Sequence, residues 1–300
     1  MNAPLLQDKV IIVTGAGRGI GRGIAIMAAA NGAKVVVNDL GGAEDGSGAD
    51  ASPADEVVNE IKAAGGEAVS SYASVTDWDA AHEIVETAIN FFGRIDCVIN
   101  NAGNLRDAIF HKMTEEDFDS VINVHLKGTY FVCQPAFTYM KDNGYGRFVN
   151  VASPSGLFGN FGQSNYGAAK MGIVGLTNII AIEGSKYNIN ANVLAPNATT
   201  RMTEELFGEE FAKLFKVEQV TPLVVYLASE ACNTTHEIFS AGAGRYARVG
   251  INTHKGYINP EATADDISEN IENIRTIKDG TYPMNNADEF MIIQQALQGE

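Results

Sequence analysis

The sequence has little of several residue types, and each scarcity excludes a class of protein. Its 300 residues include only three cysteines, Cys97, Cys133 and Cys232, which lie far apart, so neither a disulfide framework nor a paired-cysteine metal site is indicated. With 8 prolines and 31 glycines, the composition excludes collagen-like and proline-rich disordered chains. No run of eighteen apolar residues is present, so we expect no membrane-spanning helix.

Basic residues are also scarce, and the sign of the charge limits the partners. The chain has 21 Lys and Arg against 37 Asp and Glu, which gives a formal net charge of -16. Nucleic acid and anionic membranes would repel such a chain unless it carried a local basic stripe, and the sequence has none. We therefore expect neither nucleic acid nor a membrane as partner.

The histidines and the two ends of the chain give further expectations. None of the five histidines has the HxxxH or HExxH spacing, so we predict no metal site. The N-terminus lacks the segments of a secretion signal, and the last residues, Leu297-Gln-Gly-Glu300, are not a peroxisomal SKL-type address. Because the cysteines are also separated and expected to be reduced, we predict a cytoplasmic protein.

Short apolar runs alternate with helical segments through most of the chain. A run such as Lys9–Thr14, bounded by turn residues, predicts a strand buried on both faces. The alternation predicts βαβ units, and therefore an α/β fold with a doubly wound parallel sheet in a single Rossmann-like domain over residues 1–250. Residues 251–300 lack this alternation, and we expect a helical C-terminal extension with helices capped near Thr263 and Asn286.

A glycine-rich turn, Thr14-Gly-Ala-Gly-Arg-Gly-Ile-Gly21, follows the first strand and precedes a helix. Glycines allow a tight turn whose backbone amides approach a pyrophosphate closely, and the helix N-terminus adds partial positive charge. In the context of a βαβ unit, this pattern indicates a dinucleotide site. The turn residues that we expect at the cofactor are Gly15, Gly17, Arg18, Gly19, Ile20 and Gly21.

Asp39 ends the second strand and selects the cofactor. A carboxylate at this place accepts hydrogen bonds from the adenosine ribose hydroxyls. It would repel a 2′-phosphate, so we predict NAD rather than NADP. Arg18 in the turn argues in the other direction, since a guanidinium there could bind a 2′-phosphate.

Three side chains indicate acid–base chemistry on an alcohol. Tyr166 and Lys170 are four residues apart on a helix predicted over Asn165–Lys186, so they share one face. Ser153 follows the fifth strand, and the carboxyl ends of such strands line the ligand crevice. A tyrosine with its ordinary pKa of about 10 is a poor base. We expect the Lys170 ammonium and a positive nicotinamide to lower the pKa of Tyr166.

These motifs and Asn100-Asn-Ala-Gly103 resemble those of the short-chain dehydrogenase/reductase family, over about residues 7–244. The resemblance implies that Tyr166 takes the substrate proton, that Ser153 holds the substrate oxygen and that Lys170 holds the cofactor ribose. It places Asn100 next to the ribose groups as well. The residues that it implies at the cofactor beyond the turn and Asp39 are Ser74, Val75, Asn101, Ala102, Gly103, Tyr166, Lys170 and Pro196.

A narrower resemblance concerns the dehydrogenase units of peroxisomal multifunctional enzyme type 2, also called 17β-hydroxysteroid dehydrogenase type 4. It rests on the stretches Val37–Gly42, Gly159–Tyr166 and Ala195–Ala198, on the long loop after Asp39 and on Arg201-Met-Thr203. It implies oxidation of (3R)-3-hydroxyacyl-CoA to 3-oxoacyl-CoA with NAD in β-oxidation. Some relatives act on steroids or on steroid side-chain thioesters.

Two positions depart from the wider family. His125 stands in a His-Leu-Lys-Gly context where that family usually has an active-site Asn, so it either relays a proton or packs in a subunit interface. Pro154 directly follows Ser153, where a small residue is more usual. It either shifts the Ser153 hydroxyl or only stiffens the loop.

Association and rival functions stay open at this point. The long predicted helices over Thr114–Lys141 and Asn165–Lys186 resemble those that build dimers in the family, so we expect a homodimer or homotetramer. Their apolar residues serve either the interface or the core: Phe118, Val121, Val124, Val132, Ile173 and Leu176. Rival functions are a 3-oxoacyl-carrier-protein reductase, a 17β-hydroxysteroid or sugar alcohol dehydrogenase, and a cofactor-binding regulator without turnover.

Overall fold

The computed structural model describes residues 3–199 and 213–298. Eight strands within these ranges form one sheet: β1 (Val10–Thr14), β2 (Lys34–Asn38), β3 (Glu67–Ser71), β4 (Cys97–Asn100), β5 (Gly146–Val151), β6 (Ile189–Pro196), β7 (Ile238–Gly242) and β8 (Arg245–Val249). Their order is β3-β2-β1-β4-β5-β6-β7-β8, and β1 to β7 pair in parallel. The predicted doubly wound α/β fold is confirmed.

Helices connect the parallel strands and cover both faces of the sheet. The described helices are α1 (Gly19–Ala30), α2 (Ser52–Ala63), α3 (Trp78–Phe92), α4 (Glu115–Ile122), α5 (Gly128–Asn143), α6 (Pro154–Phe158), α7 (Ser164–Gly184), α8 (Thr221–Ala228), α9 (Ala264–Glu269), α10 (Ile271–Arg275) and α11 (Asn286–Gln298). None of them combines the length and the apolar composition needed to cross a membrane.

The side chains of β1 alternate between two hydrophobic cores, because successive residues of a strand point to opposite faces. Ile11 and Val13 pack on one face with α1, α2 and α8. Val10 and Ile12 pack on the other face with α3, α5 and α7. Each fully buried Val or Ile contributes roughly 1.5–3 kcal/mol to stability, so a strand buried on both faces is held strongly in register.

The strand order reverses direction between β1 and β4. The chain proceeds outward from β1 to β3, and then returns to place β4 on the other side of β1. A crevice forms at the carboxyl ends of the strands at such a reversal, and it is where ligands bind in open α/β sheets. The residues that follow β1, β2, β4 and β5 therefore meet at one edge of the sheet.

The structure differs from the sequence expectation at three short elements. The single long helix predicted over Thr114–Lys141 is interrupted by a π-helical turn, Asn123–Lys127, between α4 and α5. The sequence predicts neither α6 nor β8. Both have five residues, too few to show a hydrophobic period. Arg201-Met-Thr203 lies outside the described residues.

The chain contacts form two compact units, one up to Arg248 and one from Val249 onward. In the second unit, the Thr263 hydroxyl accepts the Asp266 amide at 3.3 Å and the Asp266 carboxylate accepts the Thr263 amide at 2.8 Å. This reciprocal capping box begins α9 at the expected place. No residue of α9, α10 or α11 is buried within the chain.

Several apolar residues that the sequence offered for a subunit interface lie in the core instead. Val121, Val132 and Ile173 are buried, so an interface role for these three is wrong. Val124 and Leu176 are only partly buried and pack against the core. Phe118 is the exposed member of the set of six.

Candidate active site

The glycine turn lies between β1 and α1 at the carboxyl edge of the sheet. Gly15 and Gly19 have φ angles of 62° and 54°, a left-handed conformation that favours glycine. A Cβ on Gly15 would lie 2.7 Å from Cα of Ala102, and a Cβ on Gly21 would collide with the Gly15 carbonyl. Neither position therefore has room for a side chain, so the turn packs directly against the end of β4 through its backbone.

Hydrogen bonds tie this turn to the end of β4. The Thr14 hydroxyl accepts the amides of Asn101 and Ala102, both at 3.1 Å. The Asn101 amide group donates to the carbonyls of Thr14 at 3.1 Å and Gly15 at 2.9 Å. The structure thus brings the turn and the predicted residues Asn101, Ala102 and Gly103 together.

Helix α1 begins inside the turn, and no side chain caps it. Arg18 is the N-cap residue, with extended backbone angles and no side-chain hydrogen bond to the first turn. The first amides of an α-helix have no partner within the helix, so they can bind an anion. The Arg18 side chain is exposed and lies close enough to Asp50 to lower the pKa of that carboxyl, after the larger effect of the hydrogen bonds from Ser52.

Asp39 lies between the glycine turn and the loop that follows β2. One carboxylate oxygen accepts the Gly17 amide at 2.7 Å and the other accepts the Gly41 amide at 2.7 Å. These two bonds hold the carboxylate in place. Each oxygen retains a lone pair that can accept a hydroxyl.

Four other predicted cofactor residues border the same edge. The Ser74 hydroxyl accepts a hydrogen bond from the Thr76 backbone amide at 3.2 Å, and this bond stabilises the turn before α3. Val75 is buried against the core, whereas Ile20 and Pro196 are partly exposed. Pro196 is the last residue of β6, at the carboxyl edge.

Ser153 directly precedes α6 and serves as its N-cap residue. Its hydroxyl accepts the Ser155 amide at 3.2 Å. Pro154 is the first residue of the helix, where its fixed φ is favourable and its missing N–H costs nothing. Pro154 therefore fits α6, and the Ser153 hydroxyl still contacts the Tyr166 hydroxyl, whose pKa it lowers.

Tyr166 and Lys170 occupy the first two turns of α7, and burial shifts both. Burial raises the pKa of Tyr166 to about 12; the hydrogen bond with Ser153 opposes this shift and the Asp107 carboxylate adds to it. Burial also lowers the pKa of Lys170 to about 7. The Lys170 ammonium donates to the Val151 carbonyl at 2.6 Å and lies 5.5 Å from the centre of the Tyr166 ring. The groups of this chain alone therefore do not give Tyr166 the lowered pKa that the sequence predicts.

His125 lies in the π-helical turn and contacts the same cluster. Its Nε2 atom hydrogen bonds with the backbone of Asn104, 2.8 Å from the oxygen and 3.1 Å from the nitrogen. Its ring meets the Tyr166 ring edge-on, with centroids 5.0 Å apart. Burial, and then the charge of Lys170, lower the pKa of His125 well below its ordinary value. A neutral ring between Asn104 and Tyr166 is suited to packing rather than to acid catalysis at neutral pH.

Asn100 is buried at the end of β4, and its predicted contact with the ribose groups stays a prediction. Its amide group points into the sheet and donates to the Asn150 side chain at 2.8 Å and the Cys133 sulfur at 3.1 Å. Asn150 in turn donates to the Thr177 hydroxyl at 2.9 Å. This buried network joins β4 and β5 to α5 and α7, so the Asn100 side chain holds the sheet together.

The structure adds site residues that the sequence analysis missed. Asn104 hydrogen bonds with His125, and Asn165 hydrogen bonds with the Tyr166 backbone and with Arg106. The Asp107 carboxylate raises the pKa of Tyr166. All but Asn165 lie in the irregular segment after β4, where no periodic pattern could have pointed to them. Among the residues that the structure describes, no group of three His, Cys, Asp or Glu side chains could hold a metal ion.

Comparison with known proteins adds a family to this geometry. Residues 9–210 match the family model described as short chain dehydrogenase. The chain is 51% identical over 248 residues to a short-chain type dehydrogenase/reductase of Mycobacterium tuberculosis, covering 83% of this chain and 87% of that protein. It is 50% identical over 256 residues to the peroxisomal hydratase-dehydrogenase-epimerase of Saccharomyces cerevisiae, covering 85% of this chain and 28% of that protein.

A solved structure is similar over nearly the whole chain. Full-length peroxisomal multifunctional enzyme type 2 of Drosophila melanogaster matches with a TM-score of 0.82 and 34% identity, covering 98% of this chain and 50% of that one. The chain therefore spans half or less of these two multifunctional relatives.

Proposed function

The chain belongs to the short-chain dehydrogenase family, and we propose that it oxidises (3R)-3-hydroxyacyl-CoA to 3-oxoacyl-CoA with NAD. Membership in the family makes it an oxidoreductase that acts on CH–OH groups with a nicotinamide cofactor. The observation that carries the substrate is the 50% identity to a peroxisomal hydratase-dehydrogenase-epimerase, in a chain that keeps Ser153, Tyr166 and Lys170 together.

The residues at the carboxyl edge fit a nicotinamide dinucleotide. The glycine turn has no side chain at Gly15, Gly17, Gly19 or Gly21, and its backbone at the start of α1 suits a pyrophosphate. We assign the pyrophosphate to this turn and the adenosine side to Asp39, Ser74 and Val75. The nicotinamide side is assigned to residues 101–103, Tyr166, Lys170 and Pro196.

Asp39 supports NAD over NADP. Its two oxygens are held by the Gly17 and Gly41 amides, so the carboxylate is fixed beside the glycine turn. A 2′-phosphate placed there would face a fixed negative charge. We expect NAD to bind at least tenfold more tightly than NADP. Asp39→Asn should bring the two Kd values closer, and a wild-type preference for NADP would contradict the assignment.

In this proposal, Tyr166 is the base that takes the proton of the substrate hydroxyl. The bound nicotinamide supplies the acceptor for the hydrogen and electron pair that leave the carbinol carbon. The Ser153 hydroxyl donates to the oxygen as it becomes a carbonyl oxygen. Burial disfavours the phenolate form of Tyr166. In this proposal the protonated form of Lys170 and the positive charge that a bound nicotinamide would supply act together to favour it.

Association is proposed through the outer faces of the long helices. Tyr130 on α5 and Met171, Ile179 and Ile182 on α7 are exposed apolar residues on these faces. A homodimer or homotetramer would cover them. Size-exclusion chromatography with light scattering measures the mass directly, and a monomer at micromolar concentration would contradict this part of the proposal.

The experiment that tests the function is NADH formation on (3R)- and (3S)-3-hydroxyacyl-CoA of several chain lengths, with a 17β-hydroxysteroid alongside. We expect turnover of the (3R) thioester and little of its (3S) epimer, which serves as the matched control. Turnover of the steroid alone would replace the fatty-acyl substrate by a steroid. Inactivity on all three would overturn the substrate and leave the family assignment standing.

A further inference from the structure

Asn165 directly precedes Tyr166, and its side chain is completely buried. The amide nitrogen donates to the Arg106 carbonyl at 2.7 Å and to the Asp117 carbonyl at 3.1 Å. The amide oxygen accepts the backbone N–H of Tyr166 at 2.7 Å. One side chain therefore links three parts of the chain: the segment after β4, helix α4 and the start of α7.

The two carbonyls that Asn165 contacts are themselves held in place. The Arg106 guanidinium donates to the Asp45 carbonyl at 3.1 Å and pairs with the Asp117 carboxylate at 3.3 Å. The Thr114 hydroxyl and Arg106 lower the pKa of Asp117, in that order of effect, so this carboxylate stays charged at neutral pH. Asn165 is thus anchored to a cross-linked frame.

Among the described residues, no other side chain caps the start of α7. Its N-cap residue, Gln163, makes no capping hydrogen bond, because its amide group donates to the Asp107 carboxylate at 2.8 Å instead. Tyr166 is the third residue of α7, so its N–H is one of those that no helical carbonyl reaches. Asn165 satisfies that N–H and, through it, fixes where the Tyr166 side chain leaves the helix.

We propose that Asn165 is a positioning residue for Tyr166: its side chain fixes the start of α7 against Arg106 and Asp117, and so keeps the Tyr166 hydroxyl beside that of Ser153. The inference rests on the proposed role of Tyr166 as the base. A misplacement of about 1 Å in a catalytic group can cost on the order of 100-fold in rate, so a residue that never touches the substrate can still control turnover.

The test compares Asn165→Ala with Asn192→Ala in the full chain. Asn192 on β6 is a matched buried asparagine: it is 1% exposed, its amide donates to the Thr234 carbonyl at 2.9 Å, and it accepts the Glu237 amide at 3.2 Å. Both variants lose a fully bonded buried amide, so we expect similar falls in melting temperature. Only Asn165→Ala should lower kcat, by at least tenfold, with the KM for NAD within twofold of wild type.

The pH profile separates positioning from a general loss of stability. The neighbouring Ser153 hydroxyl lowers the pKa of Tyr166, so a tyrosine displaced from it should have a higher pKa. The acidic limb of kcat for oxidation should then move to higher pH in Asn165→Ala and stay in place in Asn192→Ala. Equal kcat and equal pH profiles in the two variants would overturn the proposal.

A second variant covers the case in which Asn165→Ala does not fold. Arg106→Gln removes the guanidinium contacts with Asp45 and Asp117 at a side chain that is 25% exposed, so it costs less stability. We expect smaller effects of the same kind as in Asn165→Ala. The value of kcat should fall about threefold, and the acidic limb of the kcat profile should move to higher pH. An unchanged kcat and limb here would count against the proposal. Full activity of Tyr166→Phe would instead break the proposed function.

Discussion

The glycine turn after β1 and the cluster of Ser153, Tyr166 and Lys170 lie at the same edge of the sheet, yet they depend on different properties of the chain. The turn is built from backbone, and it works because side chains are absent where a Cβ would collide. The cluster is built from side chains, and its chemistry depends on pKa values that burial moves in opposite directions. The cofactor half should therefore be sensitive to added volume, and the catalytic half to changes of charge and hydrogen bonding.

Tyr166→Phe should show the largest difference between an effect on kcat and an effect on cofactor binding. If Tyr166 is the base as proposed, its loss should lower kcat at least about 100-fold, while the Kd for NAD stays within twofold because the glycine turn is untouched. Tyr145→Phe is the control, since the Tyr145 hydroxyl has no hydrogen-bond partner among the described residues and the variant should keep its kcat. Near-normal turnover by Tyr166→Phe would refute its role as the base.

Lys170 gives a pH test of the buried half. Its pKa is lowered to about 7 in the folded chain and is about 10.4 in the unfolded chain. Between these pH values the unfolded chain binds more protons, so stability rises with pH across this window. Each unit by which folding lowers the pKa of Lys170 costs about 1.4 kcal/mol of folding stability at low pH. A variant without the ammonium avoids this cost but loses the hydrogen bond to the Val151 carbonyl, which is worth about 1–3 kcal/mol.

Lys170→Met should therefore be more stable than wild type at pH 6, by about 2 kcal/mol. This advantage should disappear toward pH 10. Urea unfolding at pH 6, 8 and 10 measures it, and Lys62→Met, at an exposed position on α2, is the control without the trend. A constant difference between Lys170→Met and wild type at all three pH values would show that Lys170 is not desolvated as the structure indicates.

The backbone half is tested by adding one methyl group. Gly21→Ala places a Cβ against the Gly15 carbonyl and 2.5 Å from the Asn101 amide nitrogen. We expect a loss of about 1–2 kcal/mol of stability and a Kd for NAD raised about tenfold. Gly175→Ala is the matched exchange, because a Cβ there meets nothing within 4 Å in the middle of α7.

Gly175 lies on the α7 face proposed for association, so only the Kd for NAD is compared between the two variants, and Gly175→Ala should leave it unchanged. Isothermal calorimetry measures both variants. Equal behaviour of the two glycine variants would show that the turn tolerates a side chain.

The smallest effect is expected at His125. Its Nε2 atom is already bonded to the Asn104 backbone, and its lowered pKa keeps the ring neutral at neutral pH. His125→Asn should keep kcat within about threefold, with an unchanged pH profile. The variant loses the edge-on contact between the His125 and Tyr166 rings, and this lost contact explains the small expected fall in kcat. A fall above tenfold, or the loss of one limb of the pH profile, would favour a proton relay through His125.

The fold and the cofactor turn were largely predictable from local patterns. The alternation of strands and helices, the glycine spacing and the caps at Thr114 and Thr263 all depend on residues within a few positions of each other. The break of the long helix at Asn123–Lys127 was not predictable in this way. This turn contains His125, which contacts Asn104 and Tyr166, residues outside the local stretch.

The interior of the site shows the same division. The spacing of Tyr166 and Lys170 places them on one helical face, because helix geometry repeats every 3.6 residues. Their pKa values, the inward direction of the Asn100 side chain and the three bonds of Asn165 could not be predicted. Desolvation and hydrogen bonds between distant segments exist only once the chain is packed, so these properties belong to the folded molecule and not to any local stretch of residues.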